Sequence, residues 1–131
     1  SEFTFTEDLP HGTRSEIINL NALIKCHQLI QDKSATEYMT WMLNRPDFFR
    51  VNRYKVKTKK LKRSDISLTV DTEQDYKLIK NIYTNFNGLP PKLEKIIEYY
   101  DTLPQSMKRK VVDKHLKNNL NNINVKFKTD V

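Results

Sequence analysis

Asp65-Ile66-Ser67-Leu68-Thr69-Val70-Asp71-Thr72-Glu73-Gln74-Asp75-Tyr76 is the stretch on which the fold turns. Ile66, Leu68 and Val70 alternate with polar residues, the period-two pattern of a short strand with one apolar face. The strand delivers a carboxylate, Asp71, to its carboxyl end and passes straight into a helix. Thr72 is placed to cap that helix, and Asp75, three residues on, can close a capping box. Tyr76, Ile79, Ile82 or Tyr83, and Phe86 then recur at helical spacing. Ligands of α/β sheets gather at the carboxyl ends of strands. Asp71 therefore has two readings: a divalent-metal ligand near a phosphate, or a solvated capping carboxylate. For Asp75 the capping box is a sufficient account.

The 131 residues suffice for one domain with a modest core. No apolar run approaches the roughly 20 residues of a membrane span, and no secretory signal is visible. One cysteine, Cys26, rules out an internal disulfide and a cysteine-rich metal site, which fits a reducing cytoplasm. The net charge of +7 is uneven: eight of the fourteen residues from Arg50 to Arg63 are Lys or Arg. Such a run can meet nucleic acid, a phosphorylated ligand or an acidic partner, or be the solvated face of a strand. With only two glycines, Gly12 and Gly88, the chain has no glycine-rich loop to cradle a triphosphate.

Along the chain, residues 1–3 read as an expression remnant outside the fold, and 4–13 as irregular with a turn at Leu9-Pro10-His11-Gly12. Ser15 to Ile18 reads as a strand. Leu20, Leu23, Ile24, His27 and Ile30 predict an amphipathic helix over 20–32, with His27 at the core edge and Cys26 as a small packed side chain. Ser34-Ala35-Thr36-Glu37 marks a helix start, and Pro46 its stop. Tyr54 and Val56 alternate with Arg53, Lys55 and Lys57, so 48–58 reads as a strand, expected beside 66–70 through the loop 59–63. Gly88-Leu89-Pro90-Pro91 breaks the chain. A helix about Leu93 to Tyr100 ends at Leu103-Pro104, a last helix covers 105–120, and the tail 121–131 reads as flexible.

Ile66-Ser67-Leu68-Thr69-Val70-Asp71-Thr72-Glu73-Gln74-Asp75-Tyr76, with Leu78-Ile79 and Ile82-Tyr83, resembles the carboxyl-terminal signature of sugar cytidylyltransferases. These are the relatives of CMP-Kdo synthetase and of spore-coat-polysaccharide nucleotidyltransferases. Pro10-His11-Gly12-Thr13-Arg14-Ser15-Glu16-Ile17-Ile18 resembles the family's Pro-x-Gly-x-x-x-Glu-Val segment, with Ala22-Leu23 in the helix after it. Thr36-Glu37-Tyr38-Met39-Thr40-Trp41-Met42 is similar to its Arg-Glu-His-Val-Thr-x-Tyr-Ile helix, and Ile96-Ile97-Glu98-Tyr99-Tyr100 to its final helix. Ser67, Thr36 and Tyr38 depart from the family's usual Arg, Arg and His, each a loss of a group that could hold an anionic sugar or phosphate.

The resemblance implies an α/β fold, a piece of an αβα sandwich with three to four short strands and four to five helices. Residues 4–87 would form the carboxyl-terminal half of the nucleotidyltransferase domain, and 88–120 a helical extension. It implies activation of a sugar as a CMP-sugar from CTP, with release of pyrophosphate. Asp71 would hold Mg²⁺, while Gly12, Arg14, Glu16 and Glu37 face the substrate. Tyr38, Trp41, Met42, Phe48, Tyr54 and Val56 would lie in a homodimer interface. The family's amino-terminal half, with its nucleotide loop, CTP base pocket and second metal-binding aspartate, has no counterpart here, so this stretch alone is expected to be inactive. The alternatives are a catalytically silent dimerisation or scaffold domain, and a basic nucleic-acid-binding module. The latter has thin support, because only Tyr54 among the residues of the basic run could stack on bases.

Overall fold

The computed structural model describes residues 1–31, 39–111 and 127–128, and among them it is α/β, with three strands and four α-helices. In chain order these are β1 (Phe3–Glu7), β2 (Glu16–Ile18), α1 (Leu20–Leu29), α2 (Met39–Leu43), β3 (Val51–Lys55), α3 (Glu73–Asn85) and α4 (Leu93–Thr102). No helix of the described residues is long and apolar enough to cross a membrane. The chain divides into two units, one of residues 1–5, 15–54 and 112–131, the other of 6–14 and 55–111.

In the first unit the sheet order is β2-β1-β3, with Phe3 opposite Ile18 and Phe5 opposite Glu16 in an antiparallel pair. The irregular reading of 4–13 is thus corrected over its first residues. Phe3 and Phe5 alternate with Thr4 and Thr6, and that period two is enough for a strand once a partner lies alongside. Phe3, excluded on sequence, is 2% exposed in the core, and the Arg50 amide donates to the Glu2 carboxylate at 2.8 Å. A second correction concerns β3, whose neighbour in the sheet is β1 and not the 66–70 stretch.

Helix α1 starts at Asn19, whose side chain accepts from the Asn21 amide at 2.8 Å. Its core face is Ala22, Cys26, Leu29 and Ile30, while Leu20, Ile24 and His27 are exposed. The expected stripe is therefore turned on the helix. Ala22 and Cys26 are small, so packing on them brings the helix axis close to its neighbours, an advantage that side-chain hydropathy alone does not display. Cys26 is the packed side chain expected. From α2, Met42 and Leu43 enter the same core; the capping pattern at 34–37 lies outside the described residues. Phe127 and Lys128 fall in the stretch read as a flexible tail, yet Phe127 is buried. It stacks on Phe48 with ring centroids 4.5 Å apart, with Arg45 over both rings, and the Lys128 amide donates to the Leu29 carbonyl.

The second unit is built around Ile66, which is 1% exposed and packs with Leu78, Ile82, Ile97, Tyr100 and Leu103. The expected strand is only partly formed. Ser67 bridges in parallel to His11, and Ile66 antiparallel to Lys110. Val70, 55% exposed, lies beyond the pairing. The helix expected over 105–120 is corrected within its described part: 105–107 form a turn, and the chain then returns as an extended segment, the Val111 amide donating to the Asp65 carbonyl. Residues 112–120 lie outside the described range.

Helix α3 begins with the capping box read from the sequence. The Asp75 amide donates to Thr72 Oγ1 at 3.3 Å, and the Thr72 amide to Asp75 Oδ2 at 2.8 Å. Its core residues are Leu78 and Ile82, with Tyr76 and Tyr83 turned out. Thr72→Ala is expected to cost about 1 kcal/mol in urea unfolding, because one cap acceptor is lost while Asp75 still serves the Thr72 amide. The helix stops where Asn87 and Gly88 take φ of 56° and 74°, and the Gly88 amide donates to the Tyr83 carbonyl at 2.7 Å. That is the left-handed C-terminal signature.

Candidate functional site

The second unit joins two sequence segments more than fifty residues apart. The His11 amide donates to the Ile66 carbonyl and the Leu68 amide to the His11 carbonyl, both at 2.8 Å. Because the bridge is parallel, Gly12-Thr13-Arg14 and Thr69-Val70-Asp71 leave the pair at the same, carboxyl end. Parallel strands present ligands at that end.

Gly12 makes the approach possible. Its φ is +91°, and a Cβ built on it would stand 2.9 Å from both the Leu68 carbonyl carbon and the Thr69 nitrogen. Only glycine fits so close to a backbone in that conformation. Next to it, Thr13 turns back, its amide and hydroxyl both donating to the Pro10 carbonyl at 3.1 and 2.9 Å. Arg14 is exposed and gives its Nε to the Leu9 carbonyl at 3.3 Å.

Asp71 is exposed, and among the described residues its carboxylate takes no hydrogen bond or ion pair. Its amide donates to Asp75 Oδ2 at 3.3 Å, so the main chain is tied while the side chain is left over. Asp75 does more than cap. It is 6% exposed, its Oδ2 also accepts from Thr72 Oγ1 at 2.7 Å, and its Oδ1 accepts from Arg109 Nε at 2.8 Å. Burial pushes its carboxyl up, but the hydrogen bonds from Thr72, Arg109 and the Asp71 amide outweigh this and hold it below the ordinary value. Arg109 escaped the sequence reading. It sat in an expected helix, and a partner 34 residues away leaves no local pattern.

Of the remaining expected site residues, some belong to the first unit and others lie outside the described residues. Glu16 belongs to the first unit, on β2. Glu37 and Tyr38 lie outside the described residues. Trp41 is half-buried on α2, and Met42, 1% exposed, is buried in the core of its own unit. Phe48 is half-buried against Phe127, Tyr54 is half-exposed on β3, and Val56 is half-buried just after it. In the basic run, Arg63 is committed to Asp65 and Asp101, at 2.9 and 2.8 Å.

The chain is similar to a protein of polysaccharide biosynthesis. It is 28% identical over 92 residues to the spore coat polysaccharide biosynthesis protein SpsF of Bacillus subtilis, covering 69% of this chain and 38% of that protein. It is also 30% identical over 105 residues to an uncharacterized protein of Methanocaldococcus jannaschii, covering 79% of this chain and 43% of that one. The chain thus spans less than half the length of either relative. No family profile and no solved structure matches it.

The residues present can be weighed against the magnesium that the resemblance implies. Among the described residues no three of His, Cys, Asp and Glu gather as a metal cage. Mg²⁺ in phosphoryl-transfer sites needs no such cage; it takes one or two carboxylates, with waters and substrate phosphates completing the shell. An exposed Asp71 without partners among the described residues fits that mode.

Proposed function

We propose that this chain is the sugar-side part of a nucleotidyltransferase of polysaccharide biosynthesis, a cytidylyltransferase that joins CMP to a sugar and releases pyrophosphate. The observation that carries this reading is the parallel pairing of 10–12 with 66–68, which sets Gly12, Arg14 and Asp71 at one strand end. These are residues of the two segments that resemble the family's sugar and metal motifs, and the similarity to SpsF points the same way. In this reading Asp71 holds Mg²⁺, which when bound neutralises charge on the reacting phosphates. Arg14 orients an anionic group, sugar acid or phosphate. Gly12 keeps its backbone against Leu68 and Thr69, so that both segments are fixed in register. The nucleotide base, and the triphosphate beyond its contact with the magnesium at Asp71, are held by residues outside this chain.

Pyrophosphate release from CTP, measured on the complete gene product with a panel of sugar acids, checks the proposal. Asp71→Asn is expected to lower the rate by at least about 100-fold, the loss typical of one charge-stabilising group. A normal rate in that variant contradicts the metal role. Homodimerisation, the second part of the reading, is supported by β3, an edge of the described sheet with Tyr54 half-exposed on it. Light scattering over a concentration series tests it; a monomer at high concentration counts against it.

A further inference from the structure

Asp75 Oδ2 alone receives the contacts of the α3 cap, from the Asp71 amide, the Thr72 amide and the Thr72 hydroxyl. Its other oxygen, Oδ1, accepts from Arg109 Nε at 2.8 Å. A capping box therefore forms without Arg109, so the arginine supplies something other than the cap. A carboxylate gripped through one oxygen can pivot; gripped through both, it cannot.

Arg109 is itself anchored by its main chain. Its carbonyl accepts from the Ser67 amide at 3.0 Å and from the Tyr100 hydroxyl at 2.7 Å. The Ser67 contact belongs to the strand segment whose continuation carries Asp71. One residue thus fixes the connection 69–71 at both ends, by backbone at Ser67 and by guanidinium, through Asp75, at Asp71 and Thr72. The pairing is also shielded, since Asp75 is buried even though the Arg109 side chain is 39% exposed.

We infer that Arg109 is a positioning residue for Asp71, acting through Asp75 to hold the strand-to-helix turn in one conformation. The inference rests on the reading of Asp71 as a carboxylate that faces metal-bound phosphate, and it adds the residue that aims it. The effect of the guanidinium is to remove the freedom of the turn before a ligand arrives, and preorganisation of this kind strengthens binding without a new contact.

The test uses the chain in two states. Amide hydrogen exchange is read on the free protein, and titration with magnesium pyrophosphate is followed by amide NMR. In Arg109→Met, exchange at Asp71 and Thr72 is expected to rise about tenfold more than at Leu78 and Ile82, which report the unit as a whole. Affinity for magnesium pyrophosphate is expected to fall by about tenfold, with Arg109→Lys recovering much of both effects. Equal rises at all four amides, or no rise at Asp71 and Thr72, overturn the inference, since a merely structural arginine gives the first and an idle one the second. If Arg109→Met does not fold, the comparison runs between wild type and Arg109→Lys, whose point charge is expected to leave a smaller excess at the same two amides. A localised exchange effect in a protein that never engages magnesium pyrophosphate separates the two claims. Arg109 then fixes the turn, and it is the phosphate reading of Asp71 that fails.

Discussion

Gly12→Ala is expected to lower the unfolding free energy by about 3 kcal/mol, read as a shift in the urea midpoint at constant slope. Two costs combine. At φ +91° any residue with a Cβ is strained, by about 1–2 kcal/mol. The added methyl carbon also meets the Leu68 carbonyl carbon and the Thr69 nitrogen at 2.9 Å, and backbone atoms in a paired segment cannot swing aside. Relief must come from parting His11 from Ser67, the bridge on which the candidate site depends. Gly88 is the internal control. Its φ is +74°, but nothing lies within 4 Å of its ideal Cβ, so Gly88→Ala is expected to show the conformational cost alone, about 1 kcal/mol. Equal losses in the two variants would show that the close approach at Gly12 is not tight.

Asp75→Ala is expected to cost about 3 kcal/mol, of which the lost cap supplies about 1 and the stranded partners the rest. The Thr72 amide and hydroxyl lose their acceptor, and Arg109 loses its carboxylate, although its half-exposed position lets water moderate that part. The variant also carries a pH signature. The folded carboxyl is held below its ordinary value, so its contribution is complete above the unfolded value of about 3.9 and is lost as pH falls through the lower folded one. Wild type is therefore expected to lose stability steeply below about pH 4, and Asp75→Ala less steeply. Some slope remains in the variant, because Arg63 holds Asp65 low and Arg45 does the same for Asp47. Parallel pH profiles for the two proteins would show that Asp75 is not held as described.

What could be read from the sequence was local. The Thr72–Asp75 box, the stop at Gly88, α4 and its end at Leu103, and the packed Cys26 all depend on residues within one or two turns of one another. The helix faces were less legible. Leu20 and Ile24 on α1, and Tyr76 and Tyr83 on α3, are apolar or aromatic but exposed, while small or polar Ala22, Cys26 and Asp75 take the buried positions. Hydropathy weighs each side chain alone, and packing weighs its shape and partners. Long-range pairing was not legible at all. Phe3 in the core, β3 beside β1, Phe127 against Phe48 and Arg109 on Asp75 each join residues more than ten apart, with no periodicity to announce them. The candidate site is the exception. Its two segments each carry a resemblance in the sequence, and the parallel bridge from His11 to Ser67 gives them a common end.

In the proposed function Gly12, Arg14 and Asp71 form one phosphate-facing site. Titration of the isotope-labelled chain with magnesium pyrophosphate, with every amide followed by NMR, decides this. Shifts are expected to concentrate at 11–14 and 69–72, to weaken in Asp71→Asn and to be absent with magnesium alone, because a single carboxylate needs the phosphate to complete the metal's shell. Shifts centred on the lysines of 55–62, or shifts at 11–14 and 69–72 that Asp71→Asn leaves unchanged, would contradict it.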